Sequence, residues 1–431
     1  MKIIAYEGPA GTGKTTRLIQ SLESLLTTDP LRDGQRVLAL TFMHGSRRRL
    51  HERLSGLPNL RGRFDCTTFD SFALMVCHRC KSLLARMKLP LPGEGEFDKT
   101  SDCCGALLEK ASIQSWIAAG FPAVVVDEAQ DLSNERLRIV IGLAAKCSLL
   151  IAADEFQCLD DSLKPNPAVE WLQTVAIPEK LSCIYRTKQP DLLQAALAIR
   201  SGADVPANES GFKVFATPNA KFAATFLANA IAWHKFDATS IITPSRKGRF
   251  AETVVGLVTQ HQLGKQKVGP FSCPWERTDD DEANAAMGTL ALPDTMSHPG
   301  LLSCIGSLQG TFPSAALGEW ADKQCHVAGR VSFGKEDVER QITRLFSLRR
   351  HYSHSAKCRR VAMTVHQAKN REFDGAIVIW PYTVAGDPDQ KRRLLYNAVT
   401  RARKWCLVLT QSQEMLDAPP FKAHSPSDLK V

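Results

Sequence analysis

The strongest constraint on the fold is an eight-residue stretch near the start of the chain. Residues 8 to 15 read Gly-Pro-Ala-Gly-Thr-Gly-Lys-Thr, after the apolar run Lys2 to Tyr6 and before a helix-forming stretch from Lys14 to Leu25. Gly-x4-Gly-Lys-Thr between a strand and a helix is a phosphate-binding loop. Gly8, Gly11 and Gly13 let the backbone turn successive N–H groups inward along Ala10 and Thr12, and the helix N-terminus favours an anion. Lys14 is expected to reach the terminal phosphates of a nucleoside triphosphate. Thr15 is expected to hold Mg²⁺ through its hydroxyl, with Thr16 next to it in the same binding set. An ordinary glycine-rich turn is the competing reading, and the strand–loop–helix context disfavours it.

Such a loop commits the first part of the chain to an α/β fold. Strands are expected at Lys2 to Tyr6, Arg36 to Phe42, Ala123 to Asp127 and Ser148 to Asp154, alternating with helices as in a parallel sheet. A second block from Leu181 repeats the style, with strands at Lys213 to Phe215, Ser240 to Thr243, Ala376 to Trp380 and near Cys406 to Thr410. Ligands gather at the carboxyl ends of such strands. The run Val124-Val125-Val126 delivers Asp127 and Glu128 there. Asp127 is placed to join the Mg²⁺ shell, and Glu128 to orient or deprotonate an attacking water. Adjacent carboxylates at a strand end usually mark only a solvated turn, but the phosphate loop gives these two a task.

Composition narrows the class. Lys plus Arg outnumber Asp plus Glu by 54 to 45, a net charge of +9 that suits a polyanion partner without proving one. No stretch approaches the roughly 20 apolar residues of a membrane span. The run Ile139 to Ala153 contains Lys146 and reads as a helix followed by a buried strand. The first residues have too short an apolar core for a signal peptide. Thirteen cysteines, an odd count scattered along the chain, suggest reduced thiols and a cytoplasmic protein with no membrane partner. Cys77-His78-Arg79-Cys80 with Cys103 and Cys104 raises a zinc site, but the adjacent pair is poorly spaced for one tetrahedral centre.

With the run Asp127-Glu128-Ala129-Gln130-Asp131 the sequence resembles the UvrD/Rep-like helicases of superfamily 1, with the family's motifs in order from residue 8 to residue 403. Thr41 to Leu50 is similar to motif Ia, Thr67 to Phe72 to motif Ib, and Ala153 to Gln157 to motif III. Tyr185-Arg186-Thr187 is similar to motif IV, Met363 to Phe373 to motif V, and Leu394 to Arg403 to motif VI. The resemblance implies two RecA-like parallel-sheet P-loop NTPase lobes with a small inserted subdomain. Lobe 1 would span 1–180 with a short insertion at 73–122, and lobe 2 would span 181–259 and 346–416. The inserted subdomain would span 260–345, and 417–431 would be a flexible tail.

The same resemblance implies residue roles. Lys14, Glu128, Gln157, Arg186 and Arg401 would form the catalytic set around ATP and Mg²⁺. Tyr185 would stack on the base and Glu372 would contact the ribose. Single-stranded or partly duplex DNA would meet Phe42, Arg47, Thr68, Phe72, Thr364 and His366, with rings stacking on bases and cations tracking phosphates. Phe69 and Phe72, three apart on a helix, fit a core equally well. The implied activity is ATP-dependent translocation and unwinding, 3′ to 5′. The alternative is a DNA-sensing ATPase subunit that controls a partner nuclease in repair or phage defence. A small-molecule kinase would share the phosphate loop but explains no motif after residue 150.

Four features depart from the family. Seven residues precede Gly8 in this sequence, which leaves no room for the family's upstream adenine-reading glutamine motif. Motif III lacks the aromatic that follows its glutamine, with Phe156 as the candidate substitute. Asn370 stands where the family has Gly, in a turn expected to need left-handed backbone. The accessory insertions are short, so the motor core is better supported than duplex unwinding.

Overall fold

The computed structural model describes residues 2–423, apart from 43, 94, 237, 278, 309, 311 and 350–358. Lobe 1 is built from β1 (Ile3–Glu7), α1 (Lys14–Thr28), β2 (Val37–Thr41), α2 (His44–Ser55), β3 (Phe64–Thr68) and α3 (Phe69–Arg79). It continues through α4 (Lys81–Arg86), α5 (Phe97–Leu108), α6 (Ala111–Gly120), β4 (Ala123–Val126), α7 (Asn134–Ala144), β5 (Ser148–Ala153), α8 (Pro167–Val175) and β6 (Glu179–Lys180). Its six strands are all parallel, in the order β3-β2-β4-β5-β1-β6. The central strands read as continuous apolar runs because helices cover both faces of the sheet. Every residue of Val37–Thr41 and Ala123–Val126 is buried.

The short insertion expected at 73–122 is not set apart from this lobe. Its helices α4, α5 and α6 bring Leu84, Cys104, Leu107 and Ile117 into one core with Leu38, Val124 and Leu149.

Lobe 2 opens with α9 (Pro190–Ser201), β7 (Phe212–Ala216), α10 (Ala220–His234), β8 (Thr239–Thr243) and α11 (Phe250–Gln260). The chain then leaves it for a second compact unit, Trp275–Cys358, which contains α12 (Asp279–Gly288), β9 (Thr295–Ser297), α13 (His298–Ile305), α14 (Ser314–His326), β10 (Ser332–Gly334) and α15 (Lys335–Arg349). A two-stranded antiparallel ribbon, β9 with β10, and the helices enclose a small core around Leu301, Leu317, Phe333 and Ile342. Lobe 2 resumes with β11 (Arg360–Thr364), α16 (Val365–Ala368), β12 (Phe373–Trp380), α17 (Pro388–Val399) and β13 (Ala402–Thr410). Its five strands are also all parallel, in the order β11-β8-β12-β13-β7.

Two boundaries differ from the sequence reading. The excursion runs from Trp275 to Cys358 rather than over 260–345. Residues 260–274 stay with lobe 2 because Phe271 donates its N–H to Val258 O at 2.9 Å and Pro274 O accepts the Ala362 N–H at 2.9 Å. The start of the expected flexible tail is docked. Phe421, 3% exposed, sits edge-on to Trp380, and Phe421 O accepts the Val205 N–H at 2.9 Å. Lys422 pairs with Asp204 at 2.7 Å, and the rest of that tail, 424–431, lies outside the described residues.

No helix among the described residues is long and apolar enough to cross a membrane. The described cysteines are free thiols, and no described cluster of His, Cys, Asp or Glu has the geometry to hold a metal ion. Cys77 and Cys104 are fully buried in the core of lobe 1, where burial pushes the Cys77 thiol up to about 12.

Candidate nucleotide site and nucleic-acid face

The phosphate loop joins β1 to α1. Gly11 and Gly13 adopt φ of +82° and +81°, which side chains strongly disfavour. A Cβ on Gly11 would also come within 2.6 Å of Arg186 Cβ, so glycine is needed there on two counts. Gly13 caps α1 without a side-chain hydrogen bond, so no capping side chain competes for the first helix amides. Lys14 is buried, donates to Gly8 O at 2.6 Å and Pro9 O at 3.1 Å, and lies 3.8 Å from Asp154. Thr15 donates to Asp127 Oδ2 at 2.7 Å. A hydroxyl and a carboxylate oxygen side by side are hard donors suited to Mg²⁺, and the loop amides suit phosphate oxygens. The residues present therefore fit a magnesium nucleotide.

The acid pair ends β4. Glu128 holds φ +60°, a left-handed conformation that costs a non-glycine residue about 1–2 kcal/mol. Strain of this kind persists where the surroundings fix it. Its carboxylate accepts from Gln130 Nε2 at 2.6 Å, and Gln130 Oε1 in turn accepts the Asp154 N–H at 2.9 Å. Burial opposes the charge on Glu128, yet Lys14, Lys369, Gln130 and Arg401 hold its carboxyl below the ordinary range. Burial and the neighbouring Glu128 push Asp127 the other way, above its usual value. The two carboxylates are thus driven apart, which is how one site separates a proton acceptor from its partner.

Lobe 2 supplies the cations. Arg401, 1% exposed, donates from Nε to Asn397 O at 2.8 Å, and its Nη2 lies 3.5 Å from Gln157 Oε1. Burial, with repulsion from Arg186, pushes its guanidinium down to about 9, still protonated at neutral pH. Gln157 itself donates to Asp154 Oδ2 at 2.6 Å, so it bridges the two lobes. Arg186 donates to Thr400 O at 3.1 Å and to Glu372 at 2.9 Å. Tyr185, 75% exposed, donates its N–H to Gly11 O at 2.8 Å, with its ring beside Gly13.

Glu372, the expected ribose contact, is held between two arginines. One carboxylate oxygen is taken by Arg186 and the other by Arg403 at 2.6 Å, so both its oxygens orient arginines.

The sequence reading did not foresee other contacts in the cleft. Tyr396 Oη accepts the Ala10 N–H at 2.9 Å, and Lys369 grips Asp131 at 2.5 and 2.6 Å. Arg53 of α2 donates to Thr16 at 3.1 Å, while Arg49 faces Glu128 and Glu372. Tyr396 and Lys369 stand within matched motifs, but only the fold reveals partners more than 200 positions away.

The expected DNA residues divide. Phe42, half-buried, ends β2 and lies 5.0 Å from the Phe69 ring at a 36° tilt. Arg47 is half-buried on α2, and His366 is exposed on α16. Met43, within motif Ia, lies outside the described residues. Thr364 caps α16 in a capping box with Gln367.

Thr68, 5% exposed, spends its hydroxyl on Ser71 as the cap of α3. Phe72 is not available to a base: at 1% exposed it packs in the lobe 1 core, as its i, i+3 spacing from Phe69 also allowed. Phe156 cannot replace the missing motif III aromatic. Its ring packs edge-on to Tyr396 at 5.2 Å and lies under Arg200, Arg392 and Arg393. Asn370 does adopt the left-handed backbone its turn requires, with φ +64°.

Comparisons with known proteins match the two lobes separately. The AAA domain model matches residues 1–161, and the UvrD-like helicase C-terminal domain model matches residues 360–409. No curated protein matches the chain. Among solved structures, the arterivirus nonstructural protein 10 helicase in complex with DNA is 12% identical, with a TM-score of 0.40, over 96% of this chain and 62% of that one. The same arterivirus helicase in a second crystal structure gives 12% identity and a TM-score of 0.38, over 97% and 62%. The chain thus spans under two thirds of the length of these structures. The two matched models thus fall on separate lobes, the AAA domain on lobe 1 and the UvrD-like helicase C-terminal domain on lobe 2.

Proposed function

We propose that the chain is an ATP-dependent motor that moves along single-stranded DNA and separates strands, with the 3′ to 5′ polarity its family resemblance implies. The observation that carries this reading is the composite cleft. The phosphate loop and Asp127–Glu128 belong to lobe 1, while Arg401, Lys369 and Tyr396 come from lobe 2. A site completed only when lobes meet couples chemistry to their movement.

In this reading Lys14, Arg186 and Arg401 neutralise the transferring phosphoryl group, Arg being suited by its planar, always charged fork. Glu128 takes the proton of the attacking water, and its depressed pKa keeps it ionised for that task. Mg²⁺ held by Thr15 and Asp127 supplies further charge neutralisation at the phosphates. Gln157 relays the state of the cleft between lobes, and Tyr185 offers its exposed ring to the base. Glu372 sets the angles of Arg186 and Arg403 in place of a ribose contact. Phe42, Arg47, Thr364 and His366 form the DNA face at the strand ends.

ATP hydrolysis with and without a single-stranded oligonucleotide tests this, with Lys14→Ala and Arg401→Ala as controls. DNA stimulation that both substitutions abolish is expected. Hydrolysis indifferent to DNA would sink the autonomous motor. A second reading, an ATPase subunit that senses DNA and controls a partner nuclease, is favoured by the small accessory regions: α4–α6 are absorbed into lobe 1, and the excursion is confined to Trp275–Cys358. ATPase activity without strand separation, together with a co-purifying nuclease, would select it.

A further inference from the structure

Asp154, at the end of β5, is wholly buried. Its carboxylate meets Gln157 Nε2 at 2.6 Å, Lys14 Nζ at 3.8 Å and Arg200 Nη1 at 2.9 Å. A carboxylate withdrawn from water needs a close cation. Lys14 fills that need poorly, because it stands farther off and spends its hydrogen bonds on Gly8 O and Pro9 O. Arg200 fills it well. It lies on α9 of lobe 2, outside every motif, and reaches across to the lobe 1 acid. Its guanidinium carbon lies 5.2 and 5.5 Å from the ring centroids of Phe156 and Tyr396, which confine it at the lobe 1 acid. Tyr396 is also the side chain that takes the Ala10 N–H of the phosphate loop. One arginine therefore touches both the acid beside Lys14 and the tyrosine that holds the loop.

We propose that Arg200 is an interlobe positioning residue for ATP hydrolysis. From lobe 2 it neutralises Asp154, so that the buried acid does not draw Lys14 away from the phosphates. The inference rests on the ATP-hydrolysing reading of the cleft. Arg200 acts through Asp154 and not on the nucleotide, so its loss falls on turnover rather than on nucleotide affinity.

The test is steady-state ATP hydrolysis by the full chain with a single-stranded oligonucleotide, comparing Arg200→Ala, Arg200→Lys, Asp154→Asn and the two double variants, with thermal unfolding of each. Arg200→Ala is expected to lower kcat about 3- to 30-fold, the usual range for a coupling residue. KM for ATP should stay within about twofold, since no ground-state contact is lost. In the Asp154→Asn background the same substitution should cost nothing further, because the charge it compensates is gone.

An equal loss in both backgrounds, or an unchanged kcat, overturns the proposal. If Arg200→Ala does not fold, Arg200→Lys in the two backgrounds makes the same comparison, since lysine keeps the charge and loses the fork. A wild-type chain without hydrolysis, or hydrolysis surviving Lys14→Ala, would overturn the reading of the cleft itself and this inference with it.

Discussion

The two lobes have one sheet drawn twice. Counted along the chain, each places its strands in the order third, second, fourth, fifth, first: β3-β2-β4-β5-β1 in lobe 1 and β11-β8-β12-β13-β7 in lobe 2. The turns β1–α1 and β7–α10 are therefore equivalent, and they differ completely in chemistry. In lobe 1 the turn is the glycine-rich loop, and α1 begins without a side-chain cap. In lobe 2 the turn is short, and Asn219 caps α10 by accepting the Phe222 N–H at 2.9 Å. The fourth strands diverge likewise: β4 ends in Asp127 and Glu128, β12 in Pro381 and Tyr382. A parallel sheet provides the location for a nucleotide site, but only a turn that leaves its amides uncapped can use it. Lobe 2 has the location without the chemistry and instead sends arginines to its neighbour.

That division breaks first at Arg401. Arg401→Ala should lower ATP turnover by roughly 10³- to 10⁵-fold, as expected for an arginine completing a phosphoryl-transfer site from outside the binding lobe. Single-turnover hydrolysis measures it. A loss under tenfold would mean that lobe 1 is nearly self-sufficient and that the contribution of lobe 2 is mechanical.

The helices after the third strands offer the next test. Lobe 1 places the 11-residue α3 there, and lobe 2 the four-residue α16, each capped by a threonine. Phe72 anchors α3 in the core, so Phe72→Ala should destabilise the chain by about 3–5 kcal/mol. DNA affinity of the folded fraction should not change. Chemical denaturation and oligonucleotide titration separate the two, and a DNA defect at normal stability would restore Phe72 to the DNA face.

Much of this was legible in the chain. The phosphate loop, the acid pair and both parallel blocks follow from short-range pattern, because a strand ending in Gly-rich or acidic residues has few other uses in an α/β sheet. What stayed hidden depends on partners far along the sequence. Nothing near Arg200 marks it, since Asp154 is its neighbour only after the lobes fold together. Phe72 was ambiguous because spacing alone does not say which face of a helix meets a sheet. Docking of the chain after Asp417 rests on Phe421 finding Trp380, a single aromatic in a polar stretch that reads as loop. The excursion was misplaced because weak periodicity does not separate a loop belonging to lobe 2 from the start of a new core.

Phe42 sharpens the comparison on the nucleic-acid side. It stands at the end of β2, half-buried against Phe69, whereas the equivalent strand in lobe 2, β8, ends in buried Thr243 followed by Pro244. Only lobe 1 has a ring to offer a base there. Phe42→Ala should weaken single-stranded DNA binding by about 1–3 kcal/mol, the range for one base–aromatic stack. Fluorescence anisotropy reads the affinity. An unchanged Kd would make Phe42 part of the packing around Phe69 and leave lobe 1 gripping DNA through polar groups alone.

The smallest effect is the one that isolates the turns themselves. Asn219→Ala removes a helix cap worth about 1 kcal/mol, which for a chain of this size lowers the melting temperature by about 1 °C. ATP turnover per folded molecule should not move, because no cleft contact described above involves the start of α10. If turnover instead falls while the chain stays folded, the capped turn of lobe 2 must take part in closing the cleft. Equivalent positions in the two sheets would then share one task, with phosphate binding in lobe 1 as an elaboration of it. If turnover holds, the asymmetry is local. Lobe 2 has the same sheet without an uncapped turn, and its share of the chemistry enters through the side chains it extends toward lobe 1 from α9, from α17 and from the turns after α16 and α17.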